Sequence, residues 1–142
     1  MFVPINRLFD SDAFLTLKKS LDAASLRQRT IANNIANVDT PGFKRADVTF
    51  EEELKVALEK NGKSGLKVTN PKHISNKPKG VAEVSPKVIK ENSTVFRNDL
   101  NNVDIDKEMA KLAENNLAYN TLAQLINQKL RGLGSAIQEG RK

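Results

Sequence analysis

Patterns of residues that carry covalent or acid–base chemistry are scarce in this chain. His73, in "NPKHI", is the single histidine among 142 residues, and there is no cysteine. Disulfides, thiolate metal sites and cysteine nucleophiles are therefore excluded. Glu51, Glu52 and Glu53 are consecutive, without the spacing of metal ligands, and read as the solvated start of a short helix. No glycine-rich phosphate loop or ligand cluster appears. No catalytic, metal or cofactor residue is expected, and an enzyme is the weakest reading. What the chain does concentrate is the hydrogen-bonding chemistry of neutral amides.

Asn33, Asn34 and Asn37 fall in the last turns of an apparent helix, in "TIANNIANVDTPGFKR". Asparagine is a poor helix former, because its short amide competes for nearby backbone groups. Surface helix positions ordinarily favour charged residues. A second set, Asn115, Asn116, Asn120 and Asn127, stands on or beside the apolar stripe of a later helix. An amide is buried at a contact far more cheaply than an ion. It also adds no like-charge repulsion where identical surfaces stack. Both clusters are accordingly read as faces for contact between copies.

The elements that position these amides are two long helices. In the first, Phe14, Leu17, Leu21, Ala24, Gln28, Ile31, Ile35 and Val38 alternate at spacings of three and four. That is a heptad seam with one polar member, Gln28. Thr40, Pro41 and Gly42 end it: Pro41 pushes Thr40 out of helical space, and Pro-Gly suits the centre of a type II turn that leads to Phe43. In the last helix, Ile105, Met109, Leu112, Asn116, Tyr119, Ala123, Ile126, Leu130, Leu133 and Ile137 repeat the pattern, with Asn116 as the polar member. The spacing predicts a mainly α fold whose terminal helices pair antiparallel as a coiled coil. Gln28 would lie opposite Asn116, Phe14 near Leu130, and Asp106 near Val38. A parallel dimeric zipper is the rival arrangement.

Three zones follow: an N-terminal helix and turn over 1–42, a basic loop-rich middle over 43–102, and a C-terminal helix over 103–142. In the middle zone, "ADVTFEEELKVALEK" reads as a short strand and then a short helix, and Leu66–Val68 and Val88–Ile89 as brief strands. The formal net charge is +6, but Lys60 to Lys90 alone holds eight lysines against one acid, Glu83. A basic stretch of that kind can meet phosphates, so a lysine-rich nucleic-acid binder is one alternative function. With few arginines and only Phe96 nearby to stack on bases, base readout is disfavoured. A coiled-coil adaptor of closed oligomer state is the second alternative. No apolar run is long enough to span a membrane, and the first residues lack the pattern of a secretory signal.

"ANNIANVDTPGFKR" resembles the signature of the flagellar axial proteins of the rod and hook. "NPKHI" and the stretch from Asn101 to Gly140 resemble the short proximal rod type within that family. The resemblance implies a structural subunit, exported without a cleaved signal by the flagellar export apparatus. It would polymerise through its terminal helices into the basal-body rod that crosses the periplasm. Its partners would be copies of itself, other rod proteins and the adaptor to the membrane ring, with no nucleic acid. The family often has glycine where this chain has Leu100, in "RNDLNNVD", a departure that argues against a tight positive-φ turn before the last helix.

Overall fold

The computed structural model describes residues 11–60, 80–91 and 99–140. Helix α1 runs over Asp12–Ala36 and helix α3 over Ile105–Glu139, at 25 and 35 residues. Between them come strand β1 (Ala46–Thr49), helix α2 (Glu51–Lys60), a single 3-10 turn (Val81–Glu83) and strand β2 (Lys87–Lys90). The mainly α architecture, with a small β-containing middle, is the one the periodicity predicts. The expected strand and helix after Ala46 are both present, as is the strand at Val88–Ile89. The expectation at Leu66–Val68 and the "NPKHI" motif lie outside the described residues.

Each long helix starts on a side-chain cap. The Ser11 hydroxyl accepts from the Phe14 N–H at 3.4 Å, and the Asp104 carboxylate accepts from the Asp106 and Lys107 N–H groups at 3.1 and 3.2 Å. Both satisfy donors that a helix start leaves orphaned. The Lys107 N–H, the Lys107 ammonium and the Asp106 N–H together hold the Asp104 carboxyl below the usual carboxylate range. At its far end α1 stops at Ala36, two residues before the seam does, because Asn37 leaves helical space with φ −108°. The turn that follows is as expected. The Phe43 N–H donates to the Thr40 carbonyl at 3.2 Å, and Gly42, at the third position, has φ 72°. That positive φ belongs to a type II turn and is what demands glycine there.

Helices α1 and α3 pack antiparallel, but in a different register from the expected one. Asn34 meets Glu108, and the Ala24 carbonyl meets Asn115. The seam alignment would have put Ala110 and Asn120 at those two places. Gln28 and Asn116, the expected polar pair, are both exposed. The inward stripe on the first half of α3 is Glu108, Leu112 and Asn115, rotated by about one position from the apolar series. Ile105, Met109 and Tyr119 consequently stand on an exposed flank. Apolar periodicity could not show this, because the inward positions include a carboxylate and an amide that find partners across the interface.

A hydrophobic core cluster sits between α1 and the middle segment. Ala23, Phe50, Ala57, Val81 and Val84 form it, with Leu15 and Leu54 packed against it. Helix α1 therefore serves two neighbours. Ala23 and Leu15 face the middle segment, and Ala24 carries the carbonyl that α3 approaches. β1 and β2 form a two-stranded antiparallel sheet in which Ala46 faces Lys90 and Thr49 faces Lys87.

Candidate assembly site at the end of the first helix

The helix-ending asparagines divide into distinct roles. Asn34 is buried, and its carboxamide reads both polar groups of one strand residue. Its Nδ2 donates to the Ala46 carbonyl at 2.8 Å, and its Oδ1 accepts from the Ala46 N–H at 3.0 Å. The side chain so pairs with Ala46 as a neighbouring strand would. The same Nδ2 donates to Glu108 Oε2 at 2.8 Å. One amide thereby ties α1, β1 and α3 together. Both of its N–H donors and one lone pair of its oxygen are used within the chain, and the side chain is buried from other molecules.

Glu108 is the other centre of this junction. Its side chain is 1% exposed, and its Oε1 accepts from Arg45 Nε at 2.6 Å. Arg45 also pairs with Asp47 at 2.6 Å and with Glu91, just past the end of β2. Lys111, one turn along α3 from Glu108, reaches Asp47 at 2.9 Å. Burial alone would lower the affinity of Arg45 for its proton, but the bonds and charges of Glu108 and Asp47 outweigh it and raise its pKa. Burial likewise works against the Asp47 carboxylate. The hydrogen bonds from Lys111 and the Val48 N–H prevail, with Lys111's charge and Arg45, and hold Asp47 below the usual carboxylate range.

A second junction closes the Thr40-Pro41-Gly42 turn. Asn101 is fully buried, and its Nδ2 lies 2.9, 3.0 and 2.9 Å from the carbonyls of Asn37, Val38 and Thr40. Its Oδ1 accepts from the Val103 N–H at 2.8 Å. The Asn37 and Thr40 carbonyls also accept from the Thr40 and Phe43 N–H groups of the turn, so Asn101 adds a second bond to each. Beside it the Gly42 N–H donates to the Asp99 carbonyl, and Lys44 Nζ donates to the Leu100 carbonyl at 2.9 Å. Leu100 itself has φ 61°. The positive-φ turn is therefore kept although leucine replaces glycine, with the side chain 63% exposed. The surrounding hydrogen bonds hold a backbone shape that leucine disfavours.

Of the amides read as outward contacts, Asn34 and Asn115 are corrected by their burial. Asn115 Nδ2 donates to the Ala24 carbonyl at 2.9 Å, while its Oδ1 has no partner among the described residues. Asn37 is half-buried and bonds Asn33 through both the backbone and side-chain oxygens, at 2.8 and 2.7 Å. Asn33, Asn116, Asn120 and Asn127 are exposed, as are Thr40, Pro41 and Gly42, while Phe43 is half-buried. Along the seam, Ile31 is buried, and Leu17, Leu21, Ile35, Val38, Leu112, Ile126 and Leu133 are half-buried. Ile105, Met109, Tyr119 and Leu130 are exposed. The residues that sequence reasoning missed are Arg45, Glu108 and Asn101. Only Asn101 carried a local signal, standing in an Asn-Asn pair just ahead of the α3 cap.

The flagella basal body rod protein family matches residues 14–44, most of α1 and the whole of its closing turn. A flagellar basal body rod protein FlgB of Borrelia hermsii is 44% identical over 121 residues, covering 83% of this chain and 90% of the relative. The chain belongs to the FlgB family. FlgB of Proteus mirabilis is 34% identical across 87% of the chain and 91% of its own length. FlgB of Bacillus subtilis is 30% identical across 92% and 97%. Members of the FlgB family are structural proteins of the flagellar basal-body rod. As a FlgB-family chain, this one combines a buried junction at Asn34 with an outer amide set at Asn33, Asn116, Asn120 and Asn127. Among its described residues, no helix is long and apolar enough to cross a membrane.

Proposed function

We propose that the chain is a self-assembling subunit of the proximal rod, polymerising through the outer faces of α1 and α3. One observation carries this reading: α3 is apolar on sides that nothing among the described residues covers. Met109 is 52% exposed, Leu117 71% and Ile137 60%, and they occupy different flanks of one helix. Large apolar side chains left in water on several flanks of one helix mark surfaces for burial against a partner. Repeated copies related by a heterologous contact would provide that burial. The exposed amides Asn33, Asn116, Asn120 and Asn127 would lie in the same contacts, beside Thr40, Pro41 and Gly42.

In this role the subunit reaches the rod by the flagellar export apparatus and meets other rod proteins and the adaptor to the membrane ring. Light scattering against concentration, with and without that adaptor as a nucleus, tests the reading. Growth without saturation is expected. Saturation at a small fixed size would instead assign a closed coiled-coil adaptor.

A further inference from the structure

The open groove bounded by α1, the start of α2 and the middle of α3 is apolar along its floor. Ala24, Phe50, Leu54, Leu117, Ala118 and Leu122 line it, and the groove encloses about 500 Å³. Arg27, Glu51 and Glu114 stand at its margin. Arg27 is already paired with Glu51 at 2.5 Å, so the margin is net acidic through Glu114.

The far end of α3 has the complementary character. With Asn115 at Ala24, the start of α1 at Asp12 falls opposite about position 127, and α3 extends roughly 18 Å beyond it at about 1.5 Å per residue. This overhang exposes Leu130 and Ile137 and carries two cations, Lys129 and Arg131, with no acid before Glu139. Gly132 and Gly134 interrupt it, although interior glycine weakens a helix. A Cβ at either would meet nothing within 4 Å, so no contact among the described residues calls for glycine there.

We infer that residues 128–138 of one copy dock into this groove on the next copy, Leu130 and Ile137 against Leu117 and Leu122, and Lys129 and Arg131 toward Glu114. This contact rests on the self-assembly reading and names its surfaces. It is head-to-tail, because the groove and the overhang are different parts of α3, and it repeats as an open filament where the rotation between copies does not close a ring.

The absence of cysteine makes the test direct. In a chain carrying Ala118→Cys and Ile137→Cys, the two positions lie 19 residues apart on one continuous helix, roughly 28 Å. A disulfide needs Cα atoms about 5.5 Å apart, so one formed between these positions joins two copies. Oxidation of assembled material, or of basal bodies isolated from the bacterium carrying this variant, should give a ladder of dimers and larger products. Each single variant alone should give none. Glu114→Lys should reduce the ladder about tenfold, and adding Lys129→Glu with Arg131→Glu should restore it. Circular dichroism of each monomer guards against simple misfolding.

Assembly that proceeds without the 118–137 disulfide overturns the docking contact and leaves self-assembly standing. A chain that never associates, even with its nucleus, overturns both. In a separate Ala118→Cys, Ile5→Cys double variant, a disulfide closed within one chain would give the groove to the chain's own first residues, and the inference would fall.

Discussion

Asn34 on α1 donates a hydrogen bond of 2.8 Å to Glu108 on α3, and both residues lie almost wholly out of solvent. A carboxylate is tolerated there because its other oxygen takes Arg45, so the buried charge is paired and hydrogen-bonded. Removing one partner leaves the other's charge or dipole in a dry site. Glu108→Ala is expected to lower unfolding stability by about 3 kcal/mol, and Glu108→Gln by about half as much. Asn34→Asp, which sets two carboxylates against each other, should cost more than Asn33→Asp on the exposed side. Chemical denaturation of the four variants reads the order.

Asn101 supplies the donors that close α1 and its turn. Asn101→Asp replaces an amide nitrogen facing three carbonyls with an oxygen that repels them. A loss of at least about 2 kcal/mol is expected, against roughly 1–3 for Asn101→Ala. Hydrogen exchange should show the Gly42 and Phe43 amides losing protection first, before α3 does.

Leu100 holds a left-handed backbone shape that favours glycine. Its side chain is mostly in water, so little packing is lost by removing it. Leu100→Gly should therefore stabilise the protein by about 0.5–1 kcal/mol, seen as a rise of a few degrees in Tm. A fall in Tm would mean that the leucine makes contacts which outweigh its backbone strain.

Acid sensitivity follows from Asp47, whose folded-state pKa is lowered by Lys111, the Val48 N–H and Arg45 against the opposing effect of burial. The folded protein binds this proton less tightly than the unfolded chain, so the stabilisation is complete above the ordinary aspartate value, about 3.9. It is lost as pH falls through that value toward the lowered one. Denaturation midpoints measured from pH 6 to pH 2.5 should decline below about pH 4. Asp47→Asn should be less stable near neutrality and show a flatter acid limb.

Leu112 and Met109 separate folding from assembly, because one faces inward and the other outward on the same turn of α3. Leu112→Asp should disrupt the α1–α3 packing and lower stability by about 2–4 kcal/mol. Met109→Asp should leave the monomer's thermal midpoint within about 2 °C, as a surface substitution does, while weakening association in light scattering.

Much of the architecture was legible from local rules. Proline at 41 and glycine at 42 set the break after α1 through backbone sterics alone, and the 3–4 spacing required two long amphipathic helices. Alternation of short apolar runs with acidic starts was enough to place β1 and α2. Each of these depends on residues within a few positions of one another, so the order of the chain contains the information.

The register, the inward stripe of α3 and the roles of the amides were decided by tertiary structure. Asn34 resembles Asn33 in sequence, yet only Asn34 meets a strand and a carboxylate 74 positions away. Asn115 and Asn116 are adjacent, and packing against the small Ala24 selects the first. Leu100 keeps a glycine-like turn because Lys44 bonds its carbonyl and its neighbour Asn101 bonds three more carbonyls of the α1 turn. Burying a polar group is favourable only where a distant partner completes its hydrogen bonds, and that completion exists only once the chain has folded.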